Sequence, residues 1–180
     1  TIAPPVKHYF TQRAQISALK SQLSADNSAL QKAREELMLW QDPEYIKSKM
    51  MEGKAVIALE DDRFMGFCYV ESWGHNRFVA NSGLIVIPEY RKGGLATRIK
   101  EKAFELSMSK FPGAKLFGIT TSIPVMKINT QLGYKVVNLE ELTNDEDFWK
   151  GCSSCANYDI LTATSRKHCM CTGMLFDPEK

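Results

Sequence analysis

The stretch VIPEYRKGGLA, residues 86–96, joins an apolar segment of the chain to an amphipathic one. The residues from Gly83 to Ile87 are apolar and rich in Ile and Val, which is typical of a short buried strand. From Leu95 onward apolar residues recur at helical spacing between charged residues, until Pro112 and Gly113 end the pattern. The stretch is therefore predicted to be a strand-to-helix turn with adjacent glycines at its apex.

A glycine-rich turn at the start of a helix is suited to bind a phosphate or a pyrophosphate. The first N–H groups of a helix have no partners within it and lie at its positive end. Gly93 and Gly94 leave room for an anion to approach the backbone, and Arg91 and Lys92 add positive charge beside it. The alternative, on these residues alone, is an ordinary turn with solvated charges.

The composition is that of a globular protein with one core. The chain has 180 residues, of which 44% are hydrophobic and 24% charged. Its formal net charge of +2 gives no overall electrostatic support to a nucleic-acid partner. No apolar run is long enough to span a membrane, and the first ten residues lack the apolar centre of a signal peptide. We therefore expect a cytoplasmic protein with no nucleic-acid or membrane partner.

The remaining patterns predict helices first and then strands alternating with helices. Helices are expected at residues 10–23, 27–40, 43–51, from 95 up to Pro112, and at 124–132. Strands are expected at residues 2–6, 54–60, 64–72, 78–87, 115–121 and 134–139. The expected fold class is α+β, with a mixed central sheet, helices on both faces and a single domain over residues 1–180. Residues 50–140 would form its core, and 141–180 a cysteine-containing extension.

Two motifs on these elements together resemble the GNAT superfamily of acyl-CoA-dependent N-acyltransferases. The pyrophosphate loop of that family is Gln/Arg-x-x-Gly-x-Gly/Ala, preceded by Val-x-Pro-x-Tyr/Phe. The present chain matches it at Val86, Pro88, Tyr90, Arg91, Gly94 and Ala96. Downstream, the short helix of the family ends in Leu-Gly-Phe/Tyr, which here is Leu132, Gly133 and Tyr134. The resemblance covers residues 50–140 and implies a GNAT-like fold.

The resemblance also implies where coenzyme A binds. The strands at residues 78–87 and 115–121 would splay apart, and the pantetheine arm would lie in the gap. The pyrophosphate would bind the N–H groups at the glycine turn, and a backbone N–H near Ile85 would polarise the thioester carbonyl. The implied residues for acetyl-CoA or another acyl-CoA are Leu84, Ile85, Val86, Arg91, Lys92, Gly93, Gly94, Leu95, Ala96, Thr97 and Asn129.

The usual catalytic side chains of the family are absent from this sequence. Many members carry a Glu on the long strand, where this chain has Ala80 and Asn81, and a Tyr where it has Asn129. The candidates to replace them are Glu71 as general base, Ser82 as part of a proton relay through water, and Asn129 as a hydrogen-bonding group. The alternative for Glu71 is a plain surface residue.

Four cysteines near the C-terminus have a spacing that suits a zinc ion. Cys152 and Cys155 are expected on one face of a helix, and Cys169 and Cys171 on one face of a strand. Four thiolates from two segments match tetrahedral zinc. The alternative is four small, partly buried apolar side chains kept reduced in the cytoplasm.

The favoured function is an N-acyltransferase that moves an acetyl or similar group from acyl-CoA to the amino group of a small molecule. The cysteines and the tail resemble a bacterial GNAT group of amino-acid N-acyltransferases, which implies an amino-acid acceptor. The cluster Arg166, Lys167 and His168 would suit the carboxylate of such an acceptor, the alternative being a solvated turn. The competing functions are a weakly catalytic acyl-CoA sensor and a zinc-stabilised interaction module. A homodimer is an open alternative to a monomer.

Overall fold

The structure is a computed structural model that describes residues 16–24 and 43–179. Contacts between Cα atoms divide the chain into two compact units, Thr1–Tyr45 and Ile46–Lys180. In the first unit, residues 16–24 form helix α1, where the pattern predicts a helix. The strand predicted at residues 2–6 and the helix predicted at 27–40 lie outside the described residues. No helix in the described ranges is long and apolar enough to cross a membrane.

From residue 43 to residue 137 the helices and strands follow one another in the predicted order. The helices are α2 (Pro43–Met51), α3 (Leu95–Lys110), α4 (Ile123–Gln131), α5 (Glu146–Lys150) and α6 (Tyr158–Ala163). The strands are β1 (Ala55–Glu60), β2 (Arg63–Trp73), β3 (Phe78–Val86), β4 (Lys115–Thr120), β5 (Lys135–Val137) and β6 (Thr172–Phe176).

The six strands form one mixed sheet in the order β1-β2-β3-β4-β6-β5. The β3–β4 pair is parallel and the other pairs are antiparallel. The predicted α+β class and mixed sheet are therefore confirmed. Strand β6 lies between β4 and β5, so residues 141–180 contribute a strand to the interior of the sheet. Strand β6 and its two neighbours are thus distant in the sequence.

Helices cover both faces of the sheet, as predicted. On one face, Val79 and Leu116 pack with Phe104 of α3 and Met126 of α4. On the other, Phe117 packs with residues of α5 and α6 in a second apolar cluster. Consecutive residues such as Leu116 and Phe117 serve opposite faces because side chains alternate along a strand.

Strands β3 and β4 pair over only three residues. The pairing ends at Ala80 and Phe117, although β3 continues to Val86 and β4 to Thr120. Beyond that point β3 stays paired with β2, and β4 with β6, so each strand follows its other neighbour. The splay that the sequence motifs imply is therefore present.

A bulge interrupts β3 within this unpaired stretch. The register of the β2–β3 pair shifts between Phe67 and Tyr69, and Gly83 lies there with φ of +63°. A glycine adopts this left-handed conformation without the steric cost that a Cβ brings. The extra residue bends the strand just before the glycine turn, as bulges next to active sites commonly do.

The predictions of secondary structure at the cysteines are wrong. The helix expected to carry Cys152 and Cys155 ends at Lys150, and the Cys155 N–H donates to the Cys152 carbonyl (2.9 Å) in a turn. Gly151, a poor helix former, caps that end. Cys169 and Cys171 lie in bends that precede β6, because pairing with β4 begins only at Thr172.

Candidate active site

The glycine turn presents an open helix N-terminus. Gly94 caps α3 with φ of +75°, no side chain caps the helix, and its first turn has no acidic residue. No atom lies within 4 Å of the place that a Cβ on Gly94 would occupy. In the described part of the chain, the N–H groups of residues 93–97 make no hydrogen bond. Unsatisfied donors, the helix dipole and free space together make this turn a site for an anion.

The two cationic side chains of the turn have different roles. The Arg91 Nε donates to the Val86 carbonyl (2.9 Å), so this side chain braces the turn against β3. Lys92 is exposed beside the helix N-terminus and has φ of +66°. The Tyr90 hydroxyl donates to the Glu60 carboxylate (3.0 Å) and fastens the turn to β1. The conformation of the turn is thus held by contacts outside its glycines.

A groove runs between the unpaired ends of β3 and β4. On the β3 side it is bordered by Leu84, Ile85 and Val86, and on the β4 side by Gly118. Among the described residues neither edge has a strand partner across the groove, so its backbone N–H and C=O groups, apart from the Val86 carbonyl that Arg91 binds, can pair with an extended ligand. The groove opens at the end of β3 that leads into the glycine turn.

Glu71 lies on β2 directly opposite Ala80 of β3. Its carboxylate forms an ion pair with Lys49 of α2, and both side chains are largely buried, with 19% and 9% of their surfaces exposed. Oε1 also accepts from the Ser72 N–H (3.2 Å). Sequence reasoning missed Lys49, because the contact joins residues 22 positions apart in different elements.

Ser82 lies on the same face of the sheet as Glu71. It pairs with Tyr69, two residues before Glu71 on β2, so the two side chains are diagonal neighbours. Such neighbours stand roughly 7–8 Å apart, within reach of one bridging water. Their face is that of Ala80 and Phe117, opposite the face covered by α3. The structure therefore brings Glu71 and Ser82 together.

Asn129 lies on the opposite face, away from Glu71 and Ser82. It is 2% exposed on α4, and its Nδ2 approaches the Met174 sulfur of β6 (3.8 Å). The same nitrogen is 3.8 Å from the place of a Cβ on Gly118, which puts this amide beneath the groove. Its Oδ1 is buried and has no hydrogen-bond partner among the described residues.

Sequence reasoning did not predict that Lys100 is buried. The amphipathic pattern of α3 assigns its charged residues to the wet face, yet Lys100 is 4% exposed. Its Nζ lies 5.9 Å from the centre of the Tyr134 ring. The spacing could have indicated this burial, because Lys100 stands four residues before the apolar Phe104 and hence on the same side of the helix.

The four C-terminal cysteines are free and share one neighbourhood. Burial raises the pKa of Cys152, and the nearby thiols of Cys155 and Cys169 raise it further. Burial likewise raises the pKa of Cys171 to about 11, with smaller contributions from Cys169, Cys155 and Cys152. Among the described residues, no group of three or more His, Cys, Asp or Glu side chains is arranged to hold a metal ion. The zinc site stays a prediction.

The basic cluster near residue 166 is used within the fold. Arg166 donates two hydrogen bonds to the Glu146 carboxylate (2.9 and 2.5 Å) and lies 5.3 Å from the centre of the Trp149 ring. Lys167 lies 3.9 Å from a carboxylate oxygen of Glu140. These contacts tie the turn after α6 to α5, so the expectation that Arg166 is available for an acceptor carboxylate is not supported.

Comparison with known proteins agrees with this architecture. The N-acetylglutamate synthase of Neisseria gonorrhoeae, solved with coenzyme A and N-acetyl-glutamate, superposes with a TM-score of 0.55 at 14% identity. The match covers 77% of the present chain and 28% of that protein, so the chain spans little more than a quarter of its length. An acetyltransferase of Bacillus subtilis, solved with CoA, gives a TM-score of 0.50 at 11% identity over 76% of this chain and 84% of its own.

At these identities the solved structures establish the fold alone. No curated protein matches the chain significantly in sequence. The sequence pattern of the Acetyltransferase (GNAT) family, however, matches residues 20–124, which is more than half of the chain. This match includes the glycine turn, the groove and Glu71. The chain therefore belongs to the acetyltransferase (GNAT) family, the superfamily of acyl-CoA-dependent N-acyltransferases that its loop motif resembles.

Proposed function

We propose that the protein transfers an acyl group from acyl-CoA to the amino group of a small molecule. The observation that carries this proposal is the groove between β3 and β4. It leads to the N-terminus of α3, where no side chain caps the helix. The pyrophosphate of CoA would bind the N–H groups of residues 93–97. The pantetheine arm would pair with the free edge of β3 at Leu84, Ile85 and Val86, as an added strand does. Lys92 would screen the phosphate charge.

The reaction joins the amine nitrogen to the thioester carbon and breaks the carbon–sulfur bond. The backbone N–H near Ile85 would stabilise the oxyanion that forms when the amine attacks. Glu71 would accept the proton that the amine must lose, directly or through a water held by Ser82. Holding both substrates in the groove supplies the rest of the rate enhancement.

An amino acid is the acceptor that suits this site best. The Glu71 carboxylate lies on the face of β2 and β3 where the acceptor would approach, and its ion pair with Lys49 holds it there. The ammonium of an amino acid is complementary to that carboxylate. This choice also agrees with the N-acetyl-glutamate found in the Neisseria gonorrhoeae structure.

A panel of amines tests the proposed function. The protein is incubated with acetyl-CoA or succinyl-CoA and each of the common amino acids, ornithine and simple amines, and free thiol is measured. We expect thiol release with one or a few amino acids and little with amines that lack a carboxylate. CoA binding by calorimetry without turnover of any acceptor would favour an acyl-CoA sensor instead. A chain that fails to bind CoA would contradict both functions.

We further propose that Cys152, Cys155, Cys169 and Cys171 bind one structural zinc ion. The support is their shared neighbourhood. Besides burial, Cys155 and Cys169 raise the pKa of Cys152, and Cys169, Cys155 and Cys152 raise the pKa of Cys171. Zinc would bind these thiols as thiolates and draw them into a tetrahedron. The site would join the turn after α5 to the bend before β6.

Protein purified without chelator is expected to contain about one zinc per chain. Cys155→Ser should lower this content and reduce the melting temperature, because metal binding contributes to folding. The matched control is Cys68→Ala, which changes a cysteine outside the cluster and should retain the zinc. Metal-free protein whose melting temperature does not change when zinc is added would contradict the proposal.

A further inference from the structure

Lys100 is a buried cation without an anionic partner. It is 4% exposed, and no carboxylate among the described residues pairs with it. Burial lowers the pKa of Lys100, and the Cys68 thiol is the ionisable group close enough to oppose that change. A buried, unpaired charge is costly to a fold, so its presence calls for an explanation.

Three further buried polar atoms have no hydrogen-bond partner among the described residues, and one of them belongs to Tyr134, whose ring centre lies 5.9 Å from the Lys100 Nζ. The unpaired atoms are Asn81 Nδ2, Asn129 Oδ1 and the Tyr134 hydroxyl, each buried. They come from the stretch of β3 that is not paired with β4, from α4, and from the third residue after α4. The Ser107 hydroxyl of α3 donates a hydrogen bond to the Asn81 Oδ1 (2.7 Å), which fixes the orientation of this amide. Buried polar atoms are nearly always satisfied in folded proteins, and a cluster of exceptions points to a site that acts on a ligand.

This cluster lies beneath the groove, on the side of α3 and α4. The Cys68 thiol donates to the Ser82 carbonyl (3.3 Å), which places Cys68 under the unpaired stretch of β3. The Lys100 ammonium is close enough to counteract the rise in the pKa of Cys68. Asn129 lies under Gly118 on the β4 side of the same gap. Lys100 thus stands between α3 and the floor of the groove, opposite the face that carries Glu71.

We propose that Lys100 is the proton donor to the thiolate of coenzyme A as it leaves. This inference rests on the proposed acyl transfer. When the amine nitrogen bonds to the carbonyl carbon, the carbon–sulfur bond breaks and its electron pair goes to sulfur. The Lys100 ammonium gives that sulfur a proton and becomes a neutral amine, which solvent reprotonates after the products leave. Asn129 occupies the place of the usual acidic Tyr but carries no acidic proton, so the donor must come from a neighbouring side chain.

The electrostatic surroundings suit a lysine in this role. The titratable groups that face it are Cys68 of β2 and Tyr134 after α4, and burial raises the pKa of both, that of Cys68 to about 11. Both are therefore neutral near neutral pH and leave the ammonium uncompensated. A buried ammonium with a lowered pKa gives up its proton more readily than a solvated one. As pH rises through that lowered pKa the donor is lost, so kcat should fall on the alkaline side.

The test compares Lys100→Met with the unchanged protein. With acetyl-CoA we expect kcat to fall about a hundredfold, and the alkaline limb of the kcat profile to disappear. With the acetyl thioester of an acidic aromatic thiol, which leaves without protonation, the two proteins should differ by less than about threefold. A structural role for Lys100 would lower both rates equally. The control is Lys102→Met, on the exposed side of α3 and paired with Glu105 (2.7 Å), which should leave both rates unchanged.

The melting temperature keeps the outcomes distinct. Met fills the space of the lysine stem without its charge, so Lys100→Met is expected to melt at an equal or higher temperature than the unchanged protein. A variant that loses kcat and stability together, with equal loss for both thioesters, would overturn the assignment. An equally active variant would overturn it too, while leaving the acyltransferase function in place. An unchanged protein that turns over no amine would overturn both.

Discussion

Glu71→Gln is expected to lower kcat by about a hundredfold near neutral pH, the usual contribution of a general base. Glutamine keeps the shape of the side chain on β2 but cannot accept the amine proton. The loss should shrink at high pH, because more of the acceptor then arrives already deprotonated. The affinity for CoA should change little, since Glu71 lies on the face of the sheet opposite α3. Initial rates across a pH series with a saturating amino acid provide the measurement.

The ion pair with Lys49 requires a second variant as a control. Glu71→Gln leaves the Lys49 ammonium, which is 9% exposed, without its carboxylate, and we expect a loss of stability of about 1–3 kcal/mol. Combining it with Lys49→Met removes the stranded charge and should restore most of that stability. If kcat stays low in the double variant, the loss reports chemistry and not a damaged fold. A raised KM with kcat intact would instead assign Glu71 to acceptor binding, and unchanged kinetics would favour a water relay past Ser82.

Gly94→Val is expected to raise the Kd for CoA by two orders of magnitude or more. A side chain there projects into the open space at the start of α3 and keeps the pyrophosphate from the N–H groups. Losing two hydrogen bonds to a charged ligand costs about 3–6 kcal/mol, which corresponds to at least a hundredfold in affinity. Calorimetric titration with CoA measures the change.

Backbone strain is the confounding effect, because Gly94 has φ of +75° and a Cβ costs about 1–2 kcal/mol in that conformation. Gly113→Val is the matched control: Gly113 has φ of +80°, no atom lies within 4 Å of its Cβ position, and it stands in the turn beyond the far end of α3. Both variants should lose similar stability, but only Gly94→Val should lose CoA binding. Equal affinities in the two variants would place the pyrophosphate elsewhere.

Local patterns were sufficient for most of the elements after residue 43. Helix α3 and strands β1 to β4 were predicted within a few residues, because periodicity, glycine and proline act over short distances. The glycine turn was predictable for the same reason, since a helix N-terminus and two glycines are local features. The alignment of Glu71 with Ala80 likewise depends on one hairpin, whose short turn sets the register. These features depend on interactions between residues close together in the chain.

The chemistry of the site depends on contacts that no local pattern encodes. Strand β6 enters the sheet between β4 and β5, Lys49 meets Glu71, and Lys100 is buried beneath the groove only once the sheet and its helices have packed. Whether a lysine faces water or the protein interior depends on which helices and strands pack over it. That packing brings together segments that are far apart in the sequence. The motifs thus reveal where coenzyme A would bind, whereas packing decides which side chains stand beside the reacting atoms.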